Sequence, residues 1–167
     1  MPKTQKEDGG MKKERILKKD WPEFLKKFNG EQQFRPVCVL VGGHEVCREM
    51  PFLGLAYEPK KKSVEVFVGG VDAEHTSHLI HTLRSPRAIY ILRENGNVKG
   101  IEVQSAKEDN LVVEFIGSPE EAKRAKKELI EKIAYQLYEK RGKEPGKALD
   151  DWLEAERLVE LAAKMYV

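Results

Sequence analysis

The stretch Ala88-Ile-Tyr-Ile-Leu-Arg-Glu-Asn-Gly-Asn-Val-Lys-Gly-Ile-Glu-Val-Gln104 decides the fold of this chain. Runs of β-branched and aromatic residues flank Asn95-Gly96. This dipeptide strongly favours a two-residue hairpin turn, because both of its residues tolerate positive φ. The stretch therefore predicts two antiparallel strands, over 88–93 and 98–104, joined by a tight turn.

Further short strands are predicted on both sides of this hairpin. Alternating or β-branched residues mark them at 37–41, 52–57, 64–68 and 111–116, with turn residues between them. The gaps are too short for helical crossovers, which argues against parallel pairing. We expect an α+β protein whose antiparallel β-meander forms a small barrel or a curled sheet. The segment 72–85 leaves three alternatives open: a loop, a short helix or an extra strand.

The residues before these strands favour a helix. Residues 1–10 are polar and end in glycine, which indicates a disordered tail. Residues 11–29 are expected to be helical, in one piece or two. Asp20 with Glu23 is typical of a capping box at a helix start, and Asn29-Gly30 is expected to end the helix.

The hydrophobic period changes from two to 3.6 residues at Gly117. Ser118-Pro119 predicts a helix start, and an apolar stripe continues from there to Arg141-Gly142. A second helix is predicted from Ala148, with an apolar stripe through Ala148, Trp152, Ala155, Val159, Ala162 and Tyr166. Two helices joined by a short loop pack antiparallel. We therefore predict three parts: a tail over 1–10, a helix plus antiparallel β domain over 11–117, and a helical hairpin over 118–167.

The 167 residues carry a net charge of +2, with 40% hydrophobic and 35% charged residues. This composition is typical of a globular protein with a highly charged surface. No apolar run approaches the roughly 20 residues of a membrane span, and the Lys- and Glu-rich N-terminus lacks the apolar segment of a signal peptide. We expect an intracellular protein without a membrane partner, in which the two cysteines are reduced.

Two parts of the chain resemble known families. Residues 133–156, with Arg141-Gly142 followed by Pro145-Gly146 and then Asp151-Trp152-Leu153, resemble a bacterial helical module known as domain of unknown function twenty-nine thirty-four. Residues 20–116 are similar to another bacterial family of unknown function, fifty-three thirty-five. The residues that carry this likeness are Asp20-Trp21-Pro22, Phe24, Tyr57-Glu58-Pro59-Lys60, His81 and Ser85-Pro86-Arg87. Neither resemblance implies an activity, but both imply a bacterial cytoplasmic protein and support a boundary near residue 117.

Two cysteines flank a predicted turn at Gly42-Gly43. If residue 41 pairs with residue 44, Cys38 faces Cys47 at a non-hydrogen-bonded position, with Cα atoms about 4.5 Å apart. This separation is near the short limit for a disulfide. One interpretation is a redox-sensitive pair. The others are two reduced, half-buried thiols, or a wider turn that separates them.

The histidines and these cysteines are the candidate metal ligands. His75, His78 and His81 are spaced by three, and His44 lies at the tip of the cysteine hairpin. Zinc needs about four converging nitrogen or sulfur ligands. No CxxC or HxxxH spacing is present, so only a tertiary coincidence would assemble Cys38, Cys47, His44 and one other histidine. The alternative is a set of polar residues in a solvent-facing connection, and no cofactor is predicted.

The helical pair is the most informative functional feature. No nucleophile elbow, P-loop or dinucleotide fingerprint is present, and no catalytic residue is predicted. A helical pair buries little surface alone, so it must dock on the β domain, on a second copy or on another protein. Trp152, Tyr138 and Tyr166 are the candidate partner-binding residues, because aromatic residues dominate interface energetics. The alternative for Trp152 is an internal anchor against Leu137 and Tyr138.

These observations favour a non-enzymatic interaction or adaptor protein whose partner is a protein, either itself or another. The first alternative is a nucleic-acid-binding small barrel. Its platforms would be Phe52, Tyr57, Phe67 and Tyr90 with a basic turn at 60–62, but the strand region is net acidic, which disfavours a nucleic-acid partner. The second alternative is an enzyme, or a redox- or metal-responsive protein, with an unfamiliar site.

Overall fold

The hairpin at Asn95-Gly96 is confirmed in the computed structural model, which describes the backbone of residues 4–6 and all of residues 11–70 and 72–167. Glu94 pairs with Asn97, and both turn residues have positive φ, 51° and 80°. The described strands are β1 (Thr4–Lys6), β2 (Met11–Ile16), β3 (Pro36–Val41), β4 (His44–Glu58), β5 (Ser63–Gly69), β6 (Ser77–Arg84), β7 (Pro86–Glu94), β8 (Asn97–Ser105) and β9 (Leu111–Phe115). The helices are α1 (Trp21–Gln32), α2 (Glu121–Lys140) and α3 (Ala148–Lys164), and a single 3-10 turn, Lys18–Asp20, precedes α1.

These strands form one antiparallel sheet in the order β1-β2-β7-β8-β9-β3-β4-β5-β6. Two meanders, β3 to β6 and β7 to β9, are joined by the pairing of β9 with β3. The α+β class and the antiparallel pairing are confirmed. Because β1 and β6 end the strand order, the sheet is open and not a closed barrel. β6 lies within 72–85, so the extra-strand alternative is correct there.

The predicted helix over 11–29 is wrong in its first part. Met11–Ile16 is a strand that pairs antiparallel with β7, from Met11 with Glu94 to Ile16 with Ile89. The local sequence favours a helix, but pairing with an exposed strand edge outweighs this weak preference. Most of the predicted tail, residues 1–3 and 7–10, lies outside the described residues, and Thr4–Lys6 pairs with β2.

Helix α1 begins where the sequence predicts and ends later. Asp20 occupies the N-cap position but makes no capping hydrogen bond through its side chain. The helix continues through Asn29-Gly30 to Gln32, so the predicted end is wrong. The chain leaves α1 through Phe34, whose φ is 72°. The side chain of Asn29 is held by tertiary hydrogen bonds and does not terminate the helix.

The first core lies between α1 and one face of the sheet. Trp21, Leu25 and Phe28 of α1 pack against inward residues of all seven strands from β3 to β9. Edge-to-face ring contacts link Phe28 to Phe52, with centroids 6.0 Å apart, and Phe52 to Phe115, at 5.5 Å. Since so many neighbouring strands share one cluster with one helix, the sheet curls around α1.

Strand β4 connects two parts of the sheet without a break. It has 15 residues, whereas the sequence predicts a strand over 52–57 and, before it, a turn at Gly42-Gly43. Its first part pairs with β3 and its second part with β5. Glu49, with a φ of 61°, and a bulge between Phe52 and Gly54 lie where the partner changes. Such irregularities let a strand bend while its pairing continues.

The C-terminal helices form the predicted hairpin and pack on the opposite face of β4 and β5. Helix α2 ends at Arg141-Gly142, and α3 begins at Ala148, as predicted. Leu53 and Phe67 of the sheet share a second core with the inner faces of both helices. Of the three docking possibilities raised by the sequence, the inner faces therefore pack on the β domain. This second core spans the boundary proposed at residue 117.

Candidate functional site

Two glycines let the hairpin approach the sheet closely. A Cβ atom on Gly54 would lie 2.6 Å from Cβ of Tyr166, and one on Gly69 would lie 2.7 Å from Cδ2 of Leu129. Both separations are well inside van der Waals contact, so a larger residue would displace a helix. The close approach fixes the inner faces of α2 and α3 against the sheet and determines which faces remain outside.

Asn29 attaches the end of α3 to an open edge of β4. Beyond Pro51, β4 is no longer paired with β3. There the Asn29 amide donates to the carbonyl of Leu55 at 3.0 Å and accepts from the Leu55 N–H at 2.9 Å. The same amide nitrogen donates to the carbonyl of Tyr166 at 2.9 Å. One buried side chain therefore satisfies the strand edge and a carbonyl just beyond α3.

Gln33 and Ser77 reinforce this attachment. The Gln33 amide donates to the carbonyls of Leu53 at 3.0 Å and Ala163 at 2.7 Å. The hydroxyl groups of Ser77 and Tyr166 are 2.6 Å apart. The Ala163 carbonyl also accepts the Tyr166 N–H at 3.3 Å, so Gln33 adds a tertiary hydrogen bond at the end of α3, where carbonyls lack a partner four residues on.

An ion pair holds the connection between α2 and α3. Arg141 donates to both carboxylate oxygens of Asp151, with Nη2 to Oδ2 at 2.7 Å and Nε to Oδ1 at 3.1 Å. Arg141 also donates to the carbonyl of Glu144. The hydrogen bonds from Arg141 lower the pKa of Asp151 below its usual value. The pair is therefore charged at neutral pH and fixes the start of α3.

The outer face of α3 carries four exposed apolar side chains. Leu149 is 69% exposed, Leu153 52%, Leu161 49% and Met165 74%. Neighbours four residues apart on a helix lie side by side but about 40° further round its axis. These residues therefore form two adjacent pairs on a row that winds across the exposed side, and Leu149 and Met165, the latter just beyond α3, point about 160° apart. The opposite face, with Ala155, Val159 and Ala162, is buried in the second core. We call Leu149, Leu153, Leu161 and Met165, with Arg157 between the two pairs, the α3 ridge.

Arg157 connects the two halves of the ridge. Its guanidinium donates to Glu154 through Nε at 2.9 Å and Nη2 at 2.6 Å. An arginine can cover apolar neighbours with its aliphatic stem while its head group stays paired. The ridge thus has a paired charge between its two apolar pairs.

Two of the three predicted partner-binding aromatics, Tyr166 and Trp152, lie in or against the second core. Tyr166 is 8% exposed, and its ring packs on Phe67 with centroids 4.9 Å apart. Trp152 is half-buried against the second core, and its indole N–H donates to Glu156 at 3.3 Å. Tyr138 is also half-buried, with the guanidinium of Arg141 5.3 Å from its ring centroid. In this structure Tyr166 contributes to holding α3 on the sheet.

The two cysteines lie on opposite faces of the sheet. Residue 41 pairs with residue 44 as predicted, but Val46 is an extra residue in β4. Cys47 therefore pairs with Val39 and Cys38 with Arg48, and the predicted pairing of Cys38 with Cys47 is wrong. A one-residue shift turns a side chain to the other face. Both thiols are free, and burial raises the pKa of each, which lowers the thiolate fraction.

The histidines are dispersed. His44 and His78 are exposed, and Nδ1 of His75 is 3.0 Å from Asp72 Oδ1. His81 pairs in register with Val66, and its buried Nε2 has no hydrogen-bond partner within the described chain. Across residues 11–70 and 72–167, no three His, Cys, Asp or Glu side chains are placed to hold a metal ion.

The strand aromatics considered for nucleic-acid stacking are largely occupied by the protein. Phe52 lies in the first core, and Phe67 packs under Tyr166. Tyr57 makes an edge contact with Trp21 at 5.2 Å, and Lys13 and Arg15 lie near the ring of Tyr90. A stacking platform needs open ring faces, which Phe52 and Phe67 do not offer, while Tyr57 and Tyr90 are half-buried. Among the described helices, none has the length and apolar character of a membrane span.

The α3 ridge was missed by the sequence interpretation. The sequence contains its four apolar residues at spacings of four, eight and four, in a row beside the stripe through Trp152 and Val159. The wide apolar surface gave a signal that α3 has two apolar sides. Which side would face the sheet depends on Gly54 and Asn29, far away in sequence, and periodicity does not report on that.

Comparison with known protein families supports both resemblances. Residues 12–125 match the model described as a family of unknown function, DUF5335. Residues 125–160 match the model described as a protein of unknown function, DUF2934. Both predicted resemblances are confirmed. No curated protein matches the chain. No solved structure matches it either.

Proposed function

Because the chain belongs to the family of unknown function DUF5335, whose description gives no activity, we propose a function from the chain's own surface. It is a non-enzymatic interaction protein, acting in the cytoplasm, that docks on a protein partner through the α3 ridge. The DUF2934 match ends at residue 160 and includes much of this helix. The inner half of the hairpin anchors it to the sheet, and the outer half is available for binding.

The observation that carries this proposal is the exposure of the ridge. Four large apolar side chains follow one winding row over α3 and the residue after it, each about half exposed or more, and clustered exposed apolar residues mark interaction sites. The cores of protein interfaces are depleted in charged residues and rich in apolar ones. Helical partners are commonly recognised through anchors spaced by three and four residues.

The partner surface that fits the ridge is itself an apolar helical face with charges at its edges. Charged residues Asp150, Glu154, Glu160 and Lys164 border the ridge. Such a border contributes to specificity and orientation, while the leucines and Met165 contribute most of the buried area.

Replacing Leu153 and Leu161 with glutamate is expected to remove binding. Two buried charges without partners in the interface would weaken it by at least about 100-fold, since each costs about 1.4 kcal/mol or more. The full chain would be immobilised and its retained proteins, including further copies of itself, identified by mass spectrometry. Light scattering would give the mass of the purified chain in parallel.

Tyr135→Glu is the matched control, because Tyr135 is 56% exposed and lies on α2 outside the ridge. Wild type and Tyr135→Glu should retain the same partner, and the ridge variant should lose it. A strictly monomeric chain with no retained protein would contradict the proposal, as would equal retention by all three proteins.

A further inference from the structure

The α3 ridge is symmetric in sequence about Arg157. Leu153 and Leu161 lie four residues on either side of it, and Leu149 and Met165 lie eight on either side. When two copies of one helix pack antiparallel about a twofold axis, each residue meets its counterpart across the centre. A twofold axis at Arg157 would therefore bring Leu153 to Leu161 of the other copy and Leu149 to Met165. Leu153 and Leu161 point only about 40° to either side of Arg157, so they contact each other between the two helices, while Leu149 and Met165 meet at the flanks of this contact.

The charges agree with the same arrangement. Asp150 and Lys164 each lie seven residues from Arg157, so all three lie nearly on one line of the helix. Under the twofold axis, Asp150 of each copy faces Lys164 of the other. This gives two intermolecular ion pairs, one on either side of the axis.

The like charges in this arrangement are already compensated within each copy. Glu154 would meet Glu160 of the other copy, but Glu154 is held by Arg157, with Nη2 to Oε1 at 2.6 Å. Glu160 lies 3.8 Å from Nζ of Lys126 on α2. The two Arg157 side chains at the axis each carry their own Glu154. The charged border therefore does not oppose the self-complementary pattern of the ridge.

We propose that the partner of the α3 ridge is a second copy of this chain, packed antiparallel about a twofold axis at Arg157. This inference rests on the proposed docking function and identifies its occupant. The apolar residues and the charged residues of the ridge are each symmetric about Arg157. Binding to an unrelated partner does not require this symmetry. Because the contact involves only one helix from each copy, the dimer is weak and forms only as the protein concentration rises.

Charge reversal in sedimentation equilibrium tests this arrangement. The purified full chain of 19.1 kDa should approach twice that mass as its concentration rises. Asp150→Lys and Lys164→Asp should each weaken the dimer by about tenfold, because each replaces two attractive contacts with two repulsive ones. The double variant D150K/K164D restores opposite charges and should return to within about threefold of wild type. Circular dichroism of each variant would verify that α3 remains folded, and Leu153→Glu gives an independent route to the monomer.

The outcomes separate this inference from the proposal on which it rests. The antiparallel arrangement would be overturned if the double variant dimerised no more tightly than the single variant with the weaker dimer. A monomeric wild type that still captures another protein through the ridge would overturn the second copy as occupant and leave the docking function standing. A monomeric wild type without ridge-dependent capture would overturn both.

Discussion

Asn29→Ala is expected to lower the free energy of unfolding by about 3 kcal/mol, because it leaves three buried backbone groups without partners. These groups are the N–H and carbonyl of Leu55 and the carbonyl of Tyr166. Asn29 is 2% exposed, so water has little access to replace the lost amide. The lost hydrogen bonds join α1 and β4 to the end of α3. Their removal therefore also loosens the position of the ridge relative to the sheet.

Urea titration followed by circular dichroism would measure this loss. Gln33→Ala is the matched comparison, since Gln33 also bonds a strand carbonyl and an α3 carbonyl but is only partly buried. We expect it to cost about 1 kcal/mol. Equal stability of wild type and Asn29→Ala would mean that the amide does not hold the strand edge.

Ile133→Ala is expected to cost about 3 to 4 kcal/mol, the usual range for truncating a fully buried isoleucine that leaves a cavity. Ile133 is 0% exposed and belongs to the second core between the hairpin and the sheet. It takes no part in the first core around α1. The loss should therefore appear first in the attachment of the hairpin.

The two tryptophans allow the two cores to be followed separately. Trp21 lies in the first core and Trp152 packs on the second. Single-tryptophan versions, made with Trp152→Phe or Trp21→Phe, would report each unfolding midpoint by fluorescence. Ile133→Ala should lower the Trp152 midpoint more than the Trp21 midpoint, and Ile133→Val should cost about 1 kcal/mol. Identical shifts at both tryptophans would show that the two cores unfold as one unit.

Features set by short-range chemistry could be predicted from the sequence. Asn95-Gly96 determines its hairpin because few dipeptides accept positive φ at both positions. Ser118 lies three residues before α2 and its hydroxyl accepts the Glu121 N–H at 3.3 Å, and Arg141-Gly142 ends that helix. The antiparallel class followed from the short gaps between strands.

Features set by distant contacts could not be predicted in this way. β2 has a helix-favouring sequence and is a strand because the edge of β7 is open to it. The bulge at Val46 separates Cys38 from Cys47, and nothing in the local sequence marks it. The outward side of α3 is decided by Gly54 and Asn29, which lie 112 and 137 residues before the residue that they contact, Tyr166. Tyr166, expected on the basis of its residue type to bind a partner, is consequently turned inward.

Hydroxyl-radical footprinting of the full chain at increasing protein concentration tests the docking claim most directly, because it measures side-chain exposure residue by residue. We expect modification of Leu149, Leu153, Leu161 and Met165 to fall as the protein concentration rises. Tyr135 on α2 and Val46 on β4, which are exposed to a similar extent but lie outside the ridge, should be modified at a constant rate. The same protection should be absent from the Leu153→Glu, Leu161→Glu double variant. Docking through the α3 ridge would be contradicted if its residues were as reactive as Tyr135 at every protein concentration. This holds for the purified chain and for the chain mixed with any partner recovered by capture.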